Sequence, residues 1–463
     1  MKSLFPPLAD GTRQILQRLP VIIEKAFPLP ARFRSALPRD VAELSRLLTS
    51  GREDRGSSYL GKDALLSAYL RYFLPWNIYR LSRLFGSLPL GLEPGDSVND
   101  LGSGPLTLAA SLWISRPDLR AIPLEFRCLD KTAAVLEAGK KFFAALATAV
   151  PPGNGDCPWT IRAIKGEIKK NGTLSTEIRG KRAALSAAVN VYNEIFWDFS
   201  PADSAQAGLF AEKQARLLSS LTESAGSIFV AEPGIPRSGE FISQLRSALI
   251  REGRSISSPC THEGPCPLPG SRLRSRIAHS RPAVSHCSDA RAKWCHFAFD
   301  TIDAPAALHK LSAAAQLPKE RAVMSFILAG PAAPAQKDAA TLHSPIAREP
   351  SPGLPVKIRV ISDCFPVNAL PLNVPSLNAP SGNSASSPNE KIMEKHPRKI
   401  HKTAENKRRA VSWGRYGCSE RGLILITGSR EHIASSLCGS EENLPILEGV
   451  VDGKSGALTA LKE

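Results

Sequence analysis

Long apolar runs are missing from this 463-residue chain, which nowhere carries the roughly 18 to 20 consecutive apolar residues of a membrane span. Its opening, MKSLFPPLADGTRQILQRLP, lacks an apolar signal core and a small-residue cleavage site. The expectation is a soluble, cytoplasmic protein. No internal repeat is visible, and neither the GxGxxG fingerprint of dinucleotide sites nor the paired CxxC knuckles of zinc ribbons occur. Acidic residues are also in deficit. Against 43 Asp and Glu stand 59 Lys and Arg, a formal charge of +16. Such a surface concentrates polyanions and releases their counterions, which points to nucleic acid as a partner.

What is present suffices for a large core, since 43% of the residues are apolar. Residues 1–95 carry apolar positions at three- and four-residue spacing, as in DVAELSRLLTS and LLSAYLRYFLPWNIYRLSRLFGSL, and are read as a helical N-terminal region. From residue 97 short apolar runs alternate with amphipathic stretches: SVNDLG, PLTLAASLWIS, LEFRCLD, TAAVLEAGKKFFAALATAV and so on to GEFISQLRSALIREG. Strand and helix in alternation predict an α/β, doubly wound parallel sheet of the Rossmann-like type over 96–330, with VMSFILAG as a late strand. Within it lies a Cys-rich segment, 255–300.

Beyond residue 330 the composition changes. Segments 331–356 and 366–410 are rich in Pro, Ala, Ser and Asn and are read as a linker and a disordered basic insertion. Two strand regions, 357–365 and 411–430, are too short to fold alone, so they are expected to pair and dock on the main domain. Residues 431–463 are read as a tail.

The segment VNDLGSGPLTLAA places Asp100 and the turn Gly102-Ser103-Gly104 at a strand end, with a helix expected to open at Pro105. Glycines let the backbone approach a ligand closely, and a helix N-terminus with a nearby carboxylate suits the amino-acid part of an adenosyl cofactor. Asp130 ends the next strand, where a carboxylate can accept both ribose hydroxyls. Asp100 and Asp130 also have a purely structural alternative as helix caps. Asn193 and Glu194, in NVYNEIFWD, fall at the same sheet edge after the fourth strand. The (N/D)PP(Y/F) signature of methyltransferases acting on exocyclic base nitrogens is absent here, and no residue stands out as base or nucleophile.

Cysteines supply the densest chemical signal. SPCTHEGPCPL holds Cys260 and Cys266, KWCHF holds Cys295, and GRYGCSERG holds Cys418. Four thiolates suit zinc or an iron-sulfur cluster, and spacing does not choose between them. His262, His286, Cys287 and His296 keep a mixed zinc site open. Cys128, Cys157, Cys364 and Cys438 fit a role as small apolar filler.

In this order, VNDLGSGP, AEPGIP, PCTHEGPCPL, WCHF, RVISD and RYGCSERG resemble the Rsm-type family of methyltransferase-like proteins associated with the small ribosomal subunit in bacteria and mitochondria. The resemblance covers about residues 60–430. It implies a class I S-adenosylmethionine-dependent methyltransferase fold with a small Cys-rich metal-binding C-terminal part. It also implies S-adenosylmethionine as cofactor and the small ribosomal subunit with its rRNA as partner. A 4Fe-4S cluster on Cys260, Cys266, Cys295 and Cys418 follows in the same way, zinc being the alternative. At Leu106 the chain departs from relatives that continue the turn with glycine.

Three functions follow as expectations. One is an rRNA-directed methyltransferase; another is a ribosome assembly factor or RNA-binding protein in which cofactor and metal are scaffolding. A third is a redox or iron sensor whose C-terminal strands are released on metal loss. The basic arm NEKIMEKHPRKIHKTAENKRRAVSWGRYG, ending at Trp413 and Tyr416, suits phosphate contact and base stacking.

Overall fold

Strands that are apolar on both faces belong in the middle of a sheet covered on both sides. In the computed structural model of the chain, Phe229 and Ala231 of one such strand enter one core while Ile228 and Val230 enter the other. Phe326 and Leu328 divide from Ile327 and Ala329 in the same way. The structure describes residues 4–52, 60, 62–153, 155–196, 204–268, 294–331, 356–360, 365–366, 413–420, 422–428, 446–451 and 458–461. Nearly all of 331–356 and 366–410, read above as linker and disordered insertion, lies outside the described residues, as do His286, Cys287, Cys364 and Cys438.

The elements run α1 (Asp10–Ala26), α2 (Ala31–Arg34), α3 (Leu37–Leu48), α4 (Asp63–Ala68), a π-helical turn Tyr69–Phe73 and α5 (Leu74–Phe85). The sheet region follows: β1 (Ser97–Leu101), α6 (Thr107–Ser115), α7 (Pro117–Arg120), β2 (Leu124–Asp130), α8 (Ala133–Ala149), β3 (Trp159–Lys165), β4 (Ala183–Val189), α9 (Tyr192–Ile195), α10 (Ser204–Leu221), β5 (Thr222–Pro233) and α11 (Pro236–Arg251). It ends with β6 (Ser255–Ser258), β7 (Phe297–Asp300), α12 (Ala306–Ala314) and β8 (Arg321–Gly330).

The strand order is β3-β2-β1-β4-β5-β8-β6, with β7 also on β8. The five strands β1 to β5 pair parallel, as the alternation requires. The expectation of a wholly parallel sheet is corrected at the far side: β8 runs antiparallel to β5, and β6 and β7 run antiparallel to β8. An apolar run such as VMSFILAG identifies a buried strand but carries no sign of its direction, which the preceding connection decides.

Helix α6 is buried at all nine positions, so it lies inside the layer against the sheet rather than on its outside. The N-terminal helices close over the same face. Arg83, 1% exposed, pairs with Asp303 at 3.0 Å, Trp76 Nε1 donates to Ser312 Oγ at 3.3 Å, and the Tyr79 hydroxyl bonds the Asp303 carboxylate. Phe5 stacks on Phe299 with ring centroids 4.7 Å apart. These contacts make the helical region one wall of the main core.

The C-terminal strands β9 (Val356–Val360), β10 (Phe365–Pro366), β11 (Trp413–Ser419), β12 (Gly422–Gly428), β13 (Ile446–Val451) and β14 (Leu458–Leu461) form a second, antiparallel sheet. As expected, β9 pairs with β11, Cys418 opposite Arg359. Strands β13 and β14 lie in the stretch read as a tail, which corrects that reading; β13 completes the other edge of β9, a pairing with no local signal. Ile358, Ile424 and Ile426 are at most 2% exposed and join the main core, each burial stabilising by about 1.5–3 kcal/mol. That apolar face is what docks the second sheet.

Candidate functional site

Where the strand order reverses, between β1 and β4, neighbouring crossovers leave toward opposite faces and a cleft opens at the carboxyl ends of the strands. A cavity of about 470 Å³ occupies this place. Its wall comes from the turns after β1, β2, β3 and β4, together with Tyr69 of the π-helical turn. The volume is that of a small-molecule site.

Gly102 and Gly104 adopt φ of +71° and +55°. A Cβ on Gly102 would stand 2.4 Å from Val191 Cγ2, so the turn needs glycine both for its backbone and for the approach of the loop after β4. The N–H groups of Gly102 and Ser103 donate to the Leu129 carbonyl at 2.7 and 3.0 Å, which locks the turn to the end of β2. Helix α6 opens at Thr107, not at Pro105: Leu106 intervenes with a left-handed φ of 61°. Its side chain is fully buried against Gly139, whose Cβ would lie 2.7 Å from Leu106 Cγ. Apolar burial therefore offsets the roughly 1–2 kcal/mol of left-handed strain at this position.

Of the residues singled out from sequence, Gly102, Ser103, Gly104, Asp130 and Glu194 line the cavity. Asp130 accepts from Gly104 N at 3.0 Å through Oδ2 and from Thr132 N at 2.9 Å through Oδ1. Both bonds are structural, and each oxygen keeps a second lone pair. Burial raises its pKa against those two bonds. Glu194 sits 3.8 Å from the Lys131 ammonium, on the same wall.

Asp100 and Asn193 are not brought to the wall. Asp100 lies behind the turn at 1% exposure, both carboxylate oxygens without a hydrogen-bond partner, and burial, then the charge of Asp130, pushes its pKa up to about 8. The Asn193 carbonyl accepts from Arg52 Nη1 at 2.9 Å, while its side-chain Oδ1 is buried without a partner.

Sequence reasoning missed Glu232, at the end of β5. Fully buried, it accepts the backbone N–H of Tyr192 at 2.8 Å and of Asn193 at 3.0 Å, and so fixes the loop that forms the cavity's far wall. Desolvation outweighs these bonds and raises its pKa to about 8. The signal was an acid at a third strand end, in AEPGIP. Tyr69 was missed because nothing local marks its π-helical turn.

The four cysteines arrive from separate places: Cys260 and Cys266 after β6, Cys295 before β7, Cys418 within β11. Burial first, then the charges of Cys266, Cys260 and Cys418, holds the Cys295 thiol far above its ordinary pKa. Burial likewise raises Cys418, followed by Cys260 and Cys266. His262 Nε2 stands 3.5 Å from Cys418 Sγ. The surroundings are cationic. Arg246, 3% exposed, donates to Cys260 Sγ at 3.3 Å, to the Gly264 carbonyl at 2.9 Å and to the His262 carbonyl at 2.5 Å. Arg359, opposite Cys418 in the ladder, donates to the Pro259 carbonyl at 2.9 Å. The donor set suits a soft metal, yet among the described residues no three His, Cys, Asp or Glu side chains stand close enough to hold an ion.

Comparison with known proteins bears on this arrangement. Residues 155–352 match the family described as mitochondrial small ribosomal subunit Rsm22. The resemblance drawn from the motifs is thus borne out over that stretch. No curated protein matches the chain. Among solved structures, a chain of the complex between the Haloferax volcanii Trm112 methyltransferase activator and its methyltransferase partner is 11% identical, covering 64% of this chain and 98% of its own, with a TM-score of 0.28. A protein named as a class I S-adenosylmethionine-dependent methyltransferase from Listeria monocytogenes is 10% identical over 71% of this chain and 89% of its own, TM-score 0.28. The glycopeptide N-methyltransferase MtfA with S-adenosylmethionine is 10% identical over 54% of this chain and 92% of its own, TM-score 0.28. The strand order, not these remote likenesses, carries the fold.

The Rsm22 match contains Asn193, Glu194, Glu232, Cys260, Cys266 and Cys295. Asp100, the glycine turn, Asp130 and Cys418 lie outside it. Among the described residues no helix is long and apolar enough to cross a membrane.

Proposed function

We propose that this chain is an S-adenosylmethionine-binding, methyltransferase-like protein that works with the small ribosomal subunit and its rRNA. The observation that carries the cofactor assignment is the convergence of a left-handed glycine turn and the Asp130 carboxylate on one cavity at the sheet's switch point. Gly102 and Gly104 admit the ligand's backbone-proximal part, Asp130 accepts ribose hydroxyls with its free lone pairs, and Glu232 keeps the loop after β4 in place. Asp100 stands behind the turn with a buried, unpartnered carboxyl group. S-adenosylmethionine, when bound, supplies an electrophilic methyl group. The ribosomal assignment draws on the description of the Rsm22 family, and the compartment is that of the ribosome it serves.

A role in binding without turnover is the alternative reading of the same cavity. The enzyme reading predicts methyl transfer to small-subunit rRNA; the assembly-factor reading predicts subunit binding alone. Calorimetric titration of the purified chain with S-adenosylmethionine tests the shared premise, and a methylation assay on isolated small subunits separates the two. Absence of binding heat and of thermal stabilisation by the cofactor would reject both.

We also propose that Cys260, Cys266, Cys295 and Cys418 hold a metal centre, a 4Fe-4S cluster by family resemblance and zinc as the alternative. Support comes from His262 Nε2 at 3.5 Å from Cys418 Sγ, from Arg246 donating to Cys260 Sγ at 3.3 Å, and from the charges of the other three sulfurs that help raise Cys295. Such a centre crosslinks the second sheet to the main one. Anaerobic purification with an absorption spectrum and iron and zinc analysis tests it; colourless, metal-free protein rejects it.

A further inference from the structure

Between β3 and β4 the chain reads KGEIKKNGTLSTEIRGKR, residues 165–182, with six basic side chains against two acidic ones. Lys165, Lys169, Lys170, Arg179, Lys181 and Arg182 are all exposed. The segment begins as a small, well-tied hairpin. Ile168 and Leu174 form an antiparallel bridge, Lys169 N donates to the Thr173 carbonyl at 2.8 Å, and Ser175 N donates to the Glu167 carbonyl at 3.0 Å. Asn171 Oδ1 accepts from Thr173 N and Oγ1 at 3.2 and 2.7 Å and closes the tip.

The tip is also fastened to the body of the protein. Gln214 of α10, fully buried, donates to the Lys169 carbonyl at 3.1 Å. Gly172, at φ +78°, approaches so closely that a Cβ would meet the Lys213 carbonyl oxygen at 2.5 Å. A turn held this way presents its charges without having to be ordered by a partner.

Lys169 and Lys170 line the cavity, as does Lys131 on the other side of its mouth. Further along the segment, Lys181 and Arg182 border a second hollow of about 560 Å³, so the positive lip continues past the first cavity. We infer that this hairpin is the phosphate-gripping lip of an RNA site, which leads one nucleotide of a bound strand toward the cavity. The inference deepens the ribosomal reading above and rests on it for the identity of the RNA, not for the binding itself.

Chemistry selects RNA over the other anionic partners. Lysine is depleted from the cores of protein–protein interfaces, which rely on aromatic and arginine anchors, and the tip Lys169-Lys170-Asn171-Gly172 has neither. A membrane-surface segment needs apolar side chains to insert, and the exposed positions of the tip carry none. Lysine, with small polar residues and open backbone, is how proteins hold phosphates.

The test uses the full chain and a short single-stranded RNA oligonucleotide, with affinity followed against salt concentration in the absence of cofactor. Lys169→Glu with Lys170→Glu is expected to weaken binding by at least about tenfold and to lower the salt slope by about 1.4, two phosphate contacts at about 0.7 each. Lys169→Arg with Lys170→Arg is expected to keep the affinity. Lys25→Glu with Lys310→Glu, which makes the same change in net charge at exposed sites on α1 and α12, is expected to leave it within about twofold. An equal loss in this control, an unchanged salt slope in the double-glutamate variant, or selective loss of binding to anionic vesicles or an acidic peptide instead of RNA would overturn the inference. Cofactor titration of the unaltered chain reports separately on the S-adenosylmethionine reading, so failure of one is not mistaken for failure of the other.

Discussion

The carboxylate of Asp130 and the backbone N–H of Gly104 are joined by a 3.0 Å hydrogen bond that ties the turn after β1 to the turn after β2. Asp130 also lines the cavity, so under the proposed function this bond and a cofactor ribose would share one carboxylate.

Asp130→Asn replaces one acceptor oxygen by a donor that opposes Gly104 N or Thr132 N. A loss of about 1–3 kcal/mol in stability is expected, and S-adenosylmethionine affinity is expected to fall by at least about tenfold. Chemical denaturation and calorimetric titration measure the two.

Gly102→Ala adds a Cβ at 2.4 Å from Val191 Cγ2 in a left-handed backbone. The expected cost is about 3 kcal/mol. Combined with Val191→Ala, the steric part is relieved, and about 1–2 kcal/mol of left-handed strain remains. Denaturation midpoints of the single and double variants give the non-additivity.

Asp100 has a folded pKa of about 8 against an unfolded value near the ordinary 3.9. Between these values the unfolded chain has lost the proton and the folded protein keeps it. Stability therefore falls as pH rises from about 4 to about 8, by at most about 1.4 kcal/mol per unit for this group. Glu232 acts in the same direction. Asp100→Asn removes one contribution, and its stability relative to the parent is expected to rise steadily over that range. Urea midpoints at several pH values read the slope; a parent protein that gains stability over this range contradicts it.

Arg246→Met deletes the donors to Cys260 Sγ and to the carbonyls of His262 and Gly264. A loss of about 3 kcal/mol is expected, since buried acceptors are left without partners. Loosening of residues 260–264 is also expected to lower the iron or zinc recovered per chain, measured by metal analysis after anaerobic purification.

Much of the cleft was legible beforehand. The glycine turn, Asp130 and Glu194 all meet at one cavity, because each stands at the end of an apolar run whose face and length mark it as a strand. Glu232 was quoted within AEPGIP without a role, since its partners are the N–H groups of Tyr192 and Asn193, forty residues away at most in sequence but on another strand's loop. Leu106 read as a departure from a glycine pattern; its fit depends on Gly139, a residue in the next helix that no local rule connects to it.

Taken alone, the amino-acid sequence determined the alternation of strand and helix, the residues that end the strands at the cavity, and the cysteines available as soft ligands. These follow from periodicity and side-chain chemistry, which act within a few residues. Only the tertiary structure decided that β8 runs antiparallel to β5, that β13 flanks β9, and that Cys418 pairs with Arg359 and stands 3.5 Å from His262 Nε2. Those outcomes depend on which apolar faces find each other across long stretches of chain, and the closure of such loops leaves no periodic trace in the residues that it joins.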